Sequence, residues 1–140
     1  MATKTTTHLN FRGNARQALN FYQSVFGGHT VLVTYADAHD HADPAQANDI
    51  LWGQVTSDHG FAIMAYDVQS SRPFNPGENA VYVAVRVDEA DVLKAYWDKL
   101  IEGGTILTPF GPSGFSPLYG MVRDAFGITW VIDQHVAYAG

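Results

Sequence analysis

An internal repeat constrains the fold of this chain more than any other feature of its sequence. A Gly-Gly pair ends a helix-like segment at residues 27–28 and again at 103–104, an offset of 76 positions. Further along, residues 52–55 (WGQV) align with residues 119–122 (YGMV) at an offset of 67. The offset falls by about nine positions, so we place an insertion of that length in the polar segment 37–48. Two related halves are the simplest account of this pattern.

Each half reads as a strand, a helix and three further strands. Alternating apolar residues predict the strands, and apolar residues three to four positions apart predict the helices, which end at the two Gly-Gly pairs. Asn14 followed by Gln17 resembles the capping box that starts a helix. The predicted strands are 5–11, one around Val31 and Val33, 50–56, 61–67, 81–87, 105–108, 118–123 and 127–134. We predict a single domain, 1–140, with a first module at 1–69, a linker at 70–78 and a second module at 79–140.

The composition excludes several classes of function. The chain contains no cysteine, which rules out disulfides, thiolate metal sites and a cysteine nucleophile. Its net charge of −6 argues against nucleic acid or an anionic membrane as a partner, because both require a basic surface. No apolar run is long enough to span a membrane, and the first residues lack the apolar core of a signal peptide. We therefore expect a cytoplasmic protein that binds neither nucleic acid nor membrane.

Several segments of the sequence resemble one protein family. They are residues 8–19 (HLNFRGNARQAL), 21–22 (FY), 25–28 (VFGG), 119–120 (YG) and 124–130 (DAFGITW). Together with the doubled unit, they resemble the PhnB-like branch of the vicinal oxygen chelate superfamily, which includes glyoxalases, bleomycin-resistance proteins and extradiol dioxygenases. The resemblance implies an α+β fold in which two βαβββ modules form a curved, partly open mixed sheet with the helices outside. It also implies a small-molecule ligand on the concave face and a homodimer.

Alternation along the predicted strands assigns side chains to the two faces of the sheet. The apolar alternates should face the helices, and they are Leu9, Phe11, Leu51, Val55, Val81, Val83, Val85, Ile128, Trp130 and Ile132. Their neighbours should face the concave side, where aromatic walls and a few polar groups are typical of a small-molecule pocket. The predicted ligand-binding residues are Asn10, Arg12, Trp52, Gln54, Met64, Tyr66, Tyr82, Arg86, Tyr119, Met121 and Asp133.

The resemblance also implies where a metal would bind. In metal-dependent relatives the ligands come from the first and last strands of each half, and the corresponding positions here are His8, Met64, Ala84 and Val131. A one-residue gap would put Thr7 in place of His8. Only His8 suits a divalent ion, whereas a catalytic site needs about three protein ligands. We therefore expect no metal and no other cofactor, and the alternative is a divalent metal held by His8 with unexpected donors.

A few charged or ionisable side chains allow more than one interpretation. His8 is the candidate catalytic residue, because an imidazole can exchange a proton near neutral pH, and the alternative is a polar side chain on a wet cavity wall. Arg12 and Arg86 can bind an anionic group or pair with acidic residues, and Asp133 is a candidate partner for Arg86. Residues 37–43 (DAHDHAD) carry side chains that can bind a metal, but this composition is more typical of a solvated, mobile loop, which would be a candidate lid over the pocket if it became ordered.

The sequence leaves the function open between three classes. Aromatic lining and missing metal ligands favour a small-molecule-binding protein of the glyoxalase/bleomycin-resistance type. The alternative is an enzyme of the isomerase, lyase or dioxygenase type that uses His8, with or without a divalent metal. An interaction module whose cavity is filled by side chains is the third class. Some relatives carry a name linked to demethylubiquinone methyl transfer, but the sequence has no Gly-rich loop resembling an S-adenosylmethionine site.

Overall fold

The computed structural model describes residues 2–136 of the chain, which divides into two compact units, Met1–Gly77 and Glu78–Gly140. Each unit is one βαβββ module, and the division falls at the end of the predicted linker. The first module consists of β1 (Thr7–Phe11), α1 (Ala15–Phe26), β2 (His29–Thr34), a 3-10 turn (Pro44–Gln46), β3 (Ile50–Thr56) and β4 (Ala62–Asp67). The second consists of β5 (Val83–Val87), α2 (Ala90–Leu100), β6 (Thr105–Gly111), β7 (Tyr119–Arg123) and β8 (Thr129–Gln134). That the two modules make up one domain stays a prediction.

The strands of each module form an open four-stranded mixed sheet. The strand order is β1-β4-β3-β2 in the first module and β5-β8-β7-β6 in the second. In both modules the first strand pairs in parallel with the last, and the other pairs are antiparallel. This arrangement confirms the predicted α+β class and the doubled βαβββ unit. The insertion lies where the change of offset predicts it, between β2 and β3.

One helix packs on one face of each sheet. The buried residues of α1 are Ala15, Ala18, Leu19, Tyr22, Val25 and Phe26, and those of α2 are Leu93, Trp97 and Leu100. The strands contribute buried residues that include Leu9, Val55 and Ile63 in the first module and Val122, Trp130 and Ile132 in the second. This packing stabilises the helices more than their intrinsic propensity does. In the described part of the chain, no helix is long and apolar enough to cross a membrane.

A β-bulge at the start of β3 changes which side chain enters the core. Thr34 pairs with Ile50, whereas Val33 pairs with Trp52, so the register shifts between these two pairs. As a result Ile50 is fully buried, and Leu51, which alternation assigns to the core, is only half-buried. The prediction for Leu51 is therefore wrong, because one extra residue in a strand reverses the alternation beyond it.

The strand β5 begins later than predicted. Its pairing with β8 starts at Val83, which lies opposite Trp130. Val81 precedes the strand and is 78% exposed, so its assignment to the core face is wrong. Tyr82 also precedes the strand, and its hydroxyl donates a hydrogen bond to Oδ1 of Asn79 at 2.8 Å. The alternation that assigned Tyr82 to a sheet face therefore does not apply to it.

The N-terminus of α1 is capped from a distant strand rather than by the predicted capping box. Asn14 is the N-cap residue, but its side chain makes no capping hydrogen bond. Instead one carboxylate oxygen of Asp67, at the end of β4, accepts from the backbone N–H groups of Gly13 at 2.7 Å and Ala15 at 3.1 Å. Its other oxygen accepts from the N–H of Ile50 at 2.8 Å. A carboxylate suits this place because the first N–H groups of a helix lack partners within it.

Candidate functional site

The face of the first sheet opposite α1 collects most of the site residues predicted for this half. We call it the first open face, and its side chains are His8, Asn10, Val31, Val33, Trp52, Gln54, Met64 and Tyr66. Strand pairing sets His8, Met64, Gln54 and Val31 in one row across all four strands. Thr7 alternates with His8 and so belongs to the opposite face, which leaves His8 as the residue that shares a row with Met64.

His8 has two polar or aromatic neighbours on the first open face. Its Nδ1 lies 2.8 Å from Oδ1 of Asn10, and its ring meets the ring of Tyr66 edge-on, with 5.2 Å between centroids. When Oδ1 of Asn10 accepts this hydrogen bond, neutral His8 carries its proton on Nδ1 and keeps a lone pair on Nε2. His8 can therefore accept a proton, or a hydrogen bond from a ligand, through Nε2.

Apart from Val31 and Val33, the rest of this face consists of aromatic, thioether and amide groups. Trp52, Gln54, Met64 and Tyr66 are each half-buried, so part of every side chain remains accessible. The rings of Trp52 and Tyr66 offer apolar contact area, and the amide of Gln54 can both donate and accept hydrogen bonds. None of the residues that define the first open face is Asp, Glu, Lys or Arg. The face therefore suits an uncharged ligand with aromatic character.

Arg12 is engaged by backbone groups of its own module. Its guanidinium donates to the carbonyl oxygens of Val68 at 3.4 Å and Gln69 at 2.9 Å, and also to that of Arg72. The same group lies over the ring of Phe74, 5.5 Å from its centroid. These contacts fasten the segment after β4 to the end of β1. The part of Arg12 in ligand binding stays a prediction.

The corresponding face of the second sheet, which we call the second open face, lies opposite α2. Its side chains are Ala84 and Arg86 from β5, Thr129, Val131 and Asp133 from β8, and Tyr119, Met121 and Arg123 from β7. Arg86 pairs with Asp133, and Asp133 pairs with Tyr119, so these three form one row. Nε of Arg86 lies 3.3 Å from Oδ2 of Asp133, which confirms the ion pair considered from the sequence.

One exposed aromatic residue beside the second open face could not be identified from the sequence pattern. Phe115 lies in the loop between β6 and β7 and is 57% exposed. Its ring packs edge-on against that of Tyr119, with 4.8 Å between centroids. Alternation assigns faces only within strands, so no periodicity could have placed a loop residue here.

The insertion between β2 and β3 is hydrogen-bonded within its own module. Backbone and hydroxyl hydrogen bonds from Thr34 hold the pKa of Asp37 below its usual range. The hydroxyl of Ser70 donates to Asp43 at 2.7 Å and lowers the pKa of that carboxyl in the same way. Within residues 2–136, no group of three or more His, Cys, Asp or Glu side chains is placed to hold a metal ion. The lid proposed from the sequence stays a prediction.

The fold and sequence match a known family over almost the whole chain. Residues 3–133 match the model of the family described as 3-demethylubiquinone-9 3-methyltransferase. The chain belongs to this PhnB-like family. A putative 3-demethylubiquinone-9 3-methyltransferase, the PhnB protein from Bacillus cereus, is 28% identical with a TM-score of 0.72, over 95% of this chain and 100% of that chain. Protein PA1353 from Pseudomonas aeruginosa is 26% identical with a TM-score of 0.86, over 96% of this chain and 98% of that chain.

A more distant neighbour shares the fold of this PhnB-like chain. A glyoxylase/bleomycin resistance protein/dioxygenase domain from Frankia sp. EAN1pec has a TM-score of 0.63 at 13% identity, over 97% of this chain and 99% of that chain. The chain thus has the glyoxalase/bleomycin-resistance fold that the sequence predicts. A comparison with curated protein sequences finds no match.

The donor atoms of this PhnB-like chain do not fit the chelated metal that the superfamily implies. Strand pairing sets His8 opposite Met64 in the first module and Ala84 opposite Val131 in the second. These positions therefore offer one imidazole, one soft thioether and two aliphatic side chains. A catalytic divalent ion needs about three protein ligands with nitrogen, oxygen or thiolate donors. We accordingly derive no chemistry through a metal.

Proposed function

We propose that the protein binds a small molecule on its first open face, as a binding protein of the glyoxalase/bleomycin-resistance type without the usual chelated metal. The observation that carries the proposal is the make-up of this face, where the rings of Trp52 and Tyr66 lie among the polar groups of His8, Asn10 and Gln54. Apolar area binds a ligand, and a few placed polar groups orient it. An uncharged aromatic molecule is the ligand that this combination fits.

A second candidate function rests on His8. Its Nδ1 is occupied by Asn10 at 2.8 Å, so the Nε2 lone pair is the group that can remove a proton from a bound metabolite. That arrangement favours an isomerase or lyase type of reaction, in which a general base acts without a metal. Metal-dependent dioxygenase chemistry would need a donor set that these positions do not offer, so we do not propose it.

The family description names methyl transfer, but the loops before the two helices of this chain do not resemble the cofactor-binding loop of a methyltransferase. The connection between β1 and α1 contains one glycine, Gly13, and the connection between β5 and α2 is Asp88-Glu89. Neither is the Gly-rich loop that approaches a nucleotide-like cofactor closely. We therefore do not propose a methyltransferase. Homodimerisation and a cytoplasmic location stay predictions.

Ligand-observed NMR with a panel of uncharged aromatic compounds tests the proposed binding. We expect saturable binding that weakens about tenfold or more in Trp52→Ala, because an aromatic contact and its buried area are lost together. Trp52→Phe, which keeps an aromatic ring, should retain most of the affinity. Binding that is equal in wild type and Trp52→Ala contradicts the assignment of the ligand to the first open face.

Product analysis separates binding from catalysis. The proposed binding protein returns its ligand unchanged, both in wild type and in His8→Ala. His59→Ala is the matched control, because His59 is an exposed histidine in the turn between β3 and β4. Turnover that is lost in His8→Ala and kept in His59→Ala would replace the binding function with the enzymatic alternative.

A further inference from the structure

The second open face carries charge that the first open face lacks. Arg86 and Arg123 lie on it together with one acidic residue, Asp133, so its strand residues are net positive. The whole chain has a net charge of −6, which makes a positive sheet face a local feature rather than a consequence of composition. On this face the guanidinium of Arg86 is a group that an anionic ligand can meet, whereas the first open face suits an uncharged group.

Arg86 is held in place on this face and still presents donors. Its Nε lies 3.3 Å from Oδ2 of Asp133, and the side chains of Arg86 and Asp133 are 45% and 16% exposed. The remaining donors of the guanidinium have no hydrogen-bond partner among the described residues. Within the same part of the chain, Oδ1 of Asp133 is buried without a hydrogen-bond partner, so Arg86 is the only cation that compensates this carboxylate. Asp133 thereby acts as a positioning residue, and the terminal nitrogens of the half-exposed Arg86 are left for a ligand.

Aromatic surface lies at the other end of the same row. Tyr119 pairs with Asp133 across β7 and β8, and Phe115 packs on Tyr119 from the neighbouring loop. Adjacent strands are about 5 Å apart, so the backbones of Arg86 and Tyr119 are separated by about 10 Å. A small molecule with a ring and an acidic group at opposite ends spans this distance.

We propose that the second open face binds a small aromatic carboxylic acid, whose carboxylate meets the Arg86 guanidinium and whose ring packs against Tyr119 and Phe115. The proposal rests on the small-molecule-binding function stated above and adds a ligand class and a second set of residues. A guanidinium favours a carboxylate because its planar donors match the two oxygens. A neutral amide of the same shape has only one carbonyl oxygen to offer and no charge.

The test compares trans-cinnamate with its neutral isostere cinnamamide by ligand-observed NMR. In wild type we expect cinnamate to bind about tenfold more tightly than cinnamamide, a difference typical of one charge-assisted contact at a partly exposed site. In Arg86→Gln this preference should disappear while cinnamamide binding stays the same. Arg123→Gln is the matched control, because Arg123 pairs with Thr129, four residues along β7 from the row that contains Arg86, and its loss should reduce the preference much less than Arg86→Gln does.

Each other outcome overturns a stated part of the proposal. Equal binding of cinnamate and cinnamamide to wild type removes the acid preference and leaves the small-molecule-binding function standing. No binding of either probe at millimolar concentration contradicts a ligand site on the second open face. The small-molecule-binding function of the first open face is tested separately, by the panel of uncharged compounds and Trp52→Ala. A preference that survives Arg86→Gln but is lost in Arg123→Gln shows that the carboxylate binds Arg123, which contradicts its proposed contact with Arg86.

The positioning role of Asp133 needs its own readout. Asp133→Asn keeps the shape of the side chain and removes the charge that holds Arg86. We expect the Nε–H resonance of Arg86 to broaden in this variant and the preference for cinnamate to fall, while the melting profile shows a folded protein. An unchanged Nε–H resonance, or a preference that rises, contradicts the positioning role.

Discussion

Asp67 is the residue at which three separate parts of the first module meet. Its carboxylate is almost fully buried and accepts hydrogen bonds from the loop before α1, from the first residue of α1 and from the start of β3. Its backbone carbonyl accepts a fourth hydrogen bond, from the hydroxyl of Tyr35 at 2.5 Å. A buried carboxylate needs partners of this kind, because leaving it unpaired would cost several kcal/mol. Asp67 therefore serves the fold of the module rather than a ligand.

We predict that Asp67→Asn lowers the free energy of unfolding by roughly 2–4 kcal/mol. The amide keeps one oxygen for Gly13 and Ala15, but its NH₂ group then faces the N–H of Ile50, so two donors meet without an acceptor. Urea unfolding followed by circular dichroism measures the change. Asp58→Asn is the control, because Asp58 lies exposed in the turn between β3 and β4. Equal stability of the two variants would contradict the capping role of Asp67.

Tyr35 titrates outside the ordinary range of a phenol. Burial raises its pKa from 10.0 to about 12, with smaller contributions from Tyr66, Asp67, Asp40 and Asp49. Because the folded state favours the neutral phenol, the stabilisation is complete below pH 10 and is lost as the pH rises from 10 towards 12.

We therefore expect Tyr35→Phe to flatten the loss of stability between pH 10 and 12, the window between the ordinary tyrosine pKa and that of buried Tyr35. Burial also raises the pKa of Tyr96, so the difference between wild type and Tyr35→Phe is the informative quantity in an absorbance titration at 295 nm. The late-titrating signal should be smaller in Tyr35→Phe than in wild type. A late signal of full size in Tyr35→Phe would rule out Tyr35 as its source.

At the scale of elements, each sheet approaches its helix through one glycine at an equivalent position. A Cβ on Gly53 would lie 2.4 Å from Cδ1 of Leu19, and a Cβ on Gly120 would lie 2.7 Å from the ring of Trp97. The two glycines occupy matching places in the repeated segments WGQV and YGMV. Their role is to admit a large helix side chain against the sheet backbone, which explains why the repeat keeps a glycine there.

Gly120→Ala should lower the free energy of unfolding by roughly 1–3 kcal/mol, because the Trp97 ring cannot move aside without disturbing its packing on Phe110. Gly53→Ala should cost less, since the end of the Leu19 side chain can rotate away. Thermal unfolding of both variants measures the difference. Gly114→Ala is the control, as a Cβ there meets nothing within 4 Å. A loss in Gly114→Ala as large as that in Gly120→Ala would contradict the close-approach explanation.

At the scale of the whole molecule, both modules repeat one architecture with different surface chemistry. In each, the first and last strands lie side by side, so the positions that hold a metal in metal-dependent relatives face one another in pairs. The first module places His8 and Met64 there, and the second places Ala84 and Val131. These pairs therefore offer one imidazole and one thioether in the first module and two aliphatic side chains in the second.

We expect Ni²⁺ or Zn²⁺ to leave the melting temperature unchanged, and elemental mass spectrometry to find no stoichiometric metal in protein purified without an affinity tag. A site filled at 100 times its Kd would raise the free energy of unfolding by about 2.7 kcal/mol, a shift that is easily measured. His8→Ala should behave like wild type in both measurements. A saturable rise in melting temperature that disappears in His8→Ala would restore the metalloenzyme hypothesis.

Sequence alone determined the order of elements, the doubled module and the face to which most side chains belong. These properties depend on local periodicity, which period-two and three-to-four spacing record directly. The same periodicity brought His8, Gln54, Met64 and Tyr66 to one face and suggested Asp133 as the partner of Arg86, and the structure agrees.

Tertiary structure alone decided the contacts between segments that are distant in sequence. The bulge that buries Ile50 instead of Leu51 depends on how β2 pairs with β3. The cap on α1 comes from Asp67 because β4 returns beside β1, and no local pattern around Asn14 encodes that. The engagement of Arg12 by the segment after β4 has the same origin. Such partners are selected by strand pairing and burial across the module, where the hydrogen bond that is made depends on which groups the whole fold brings together.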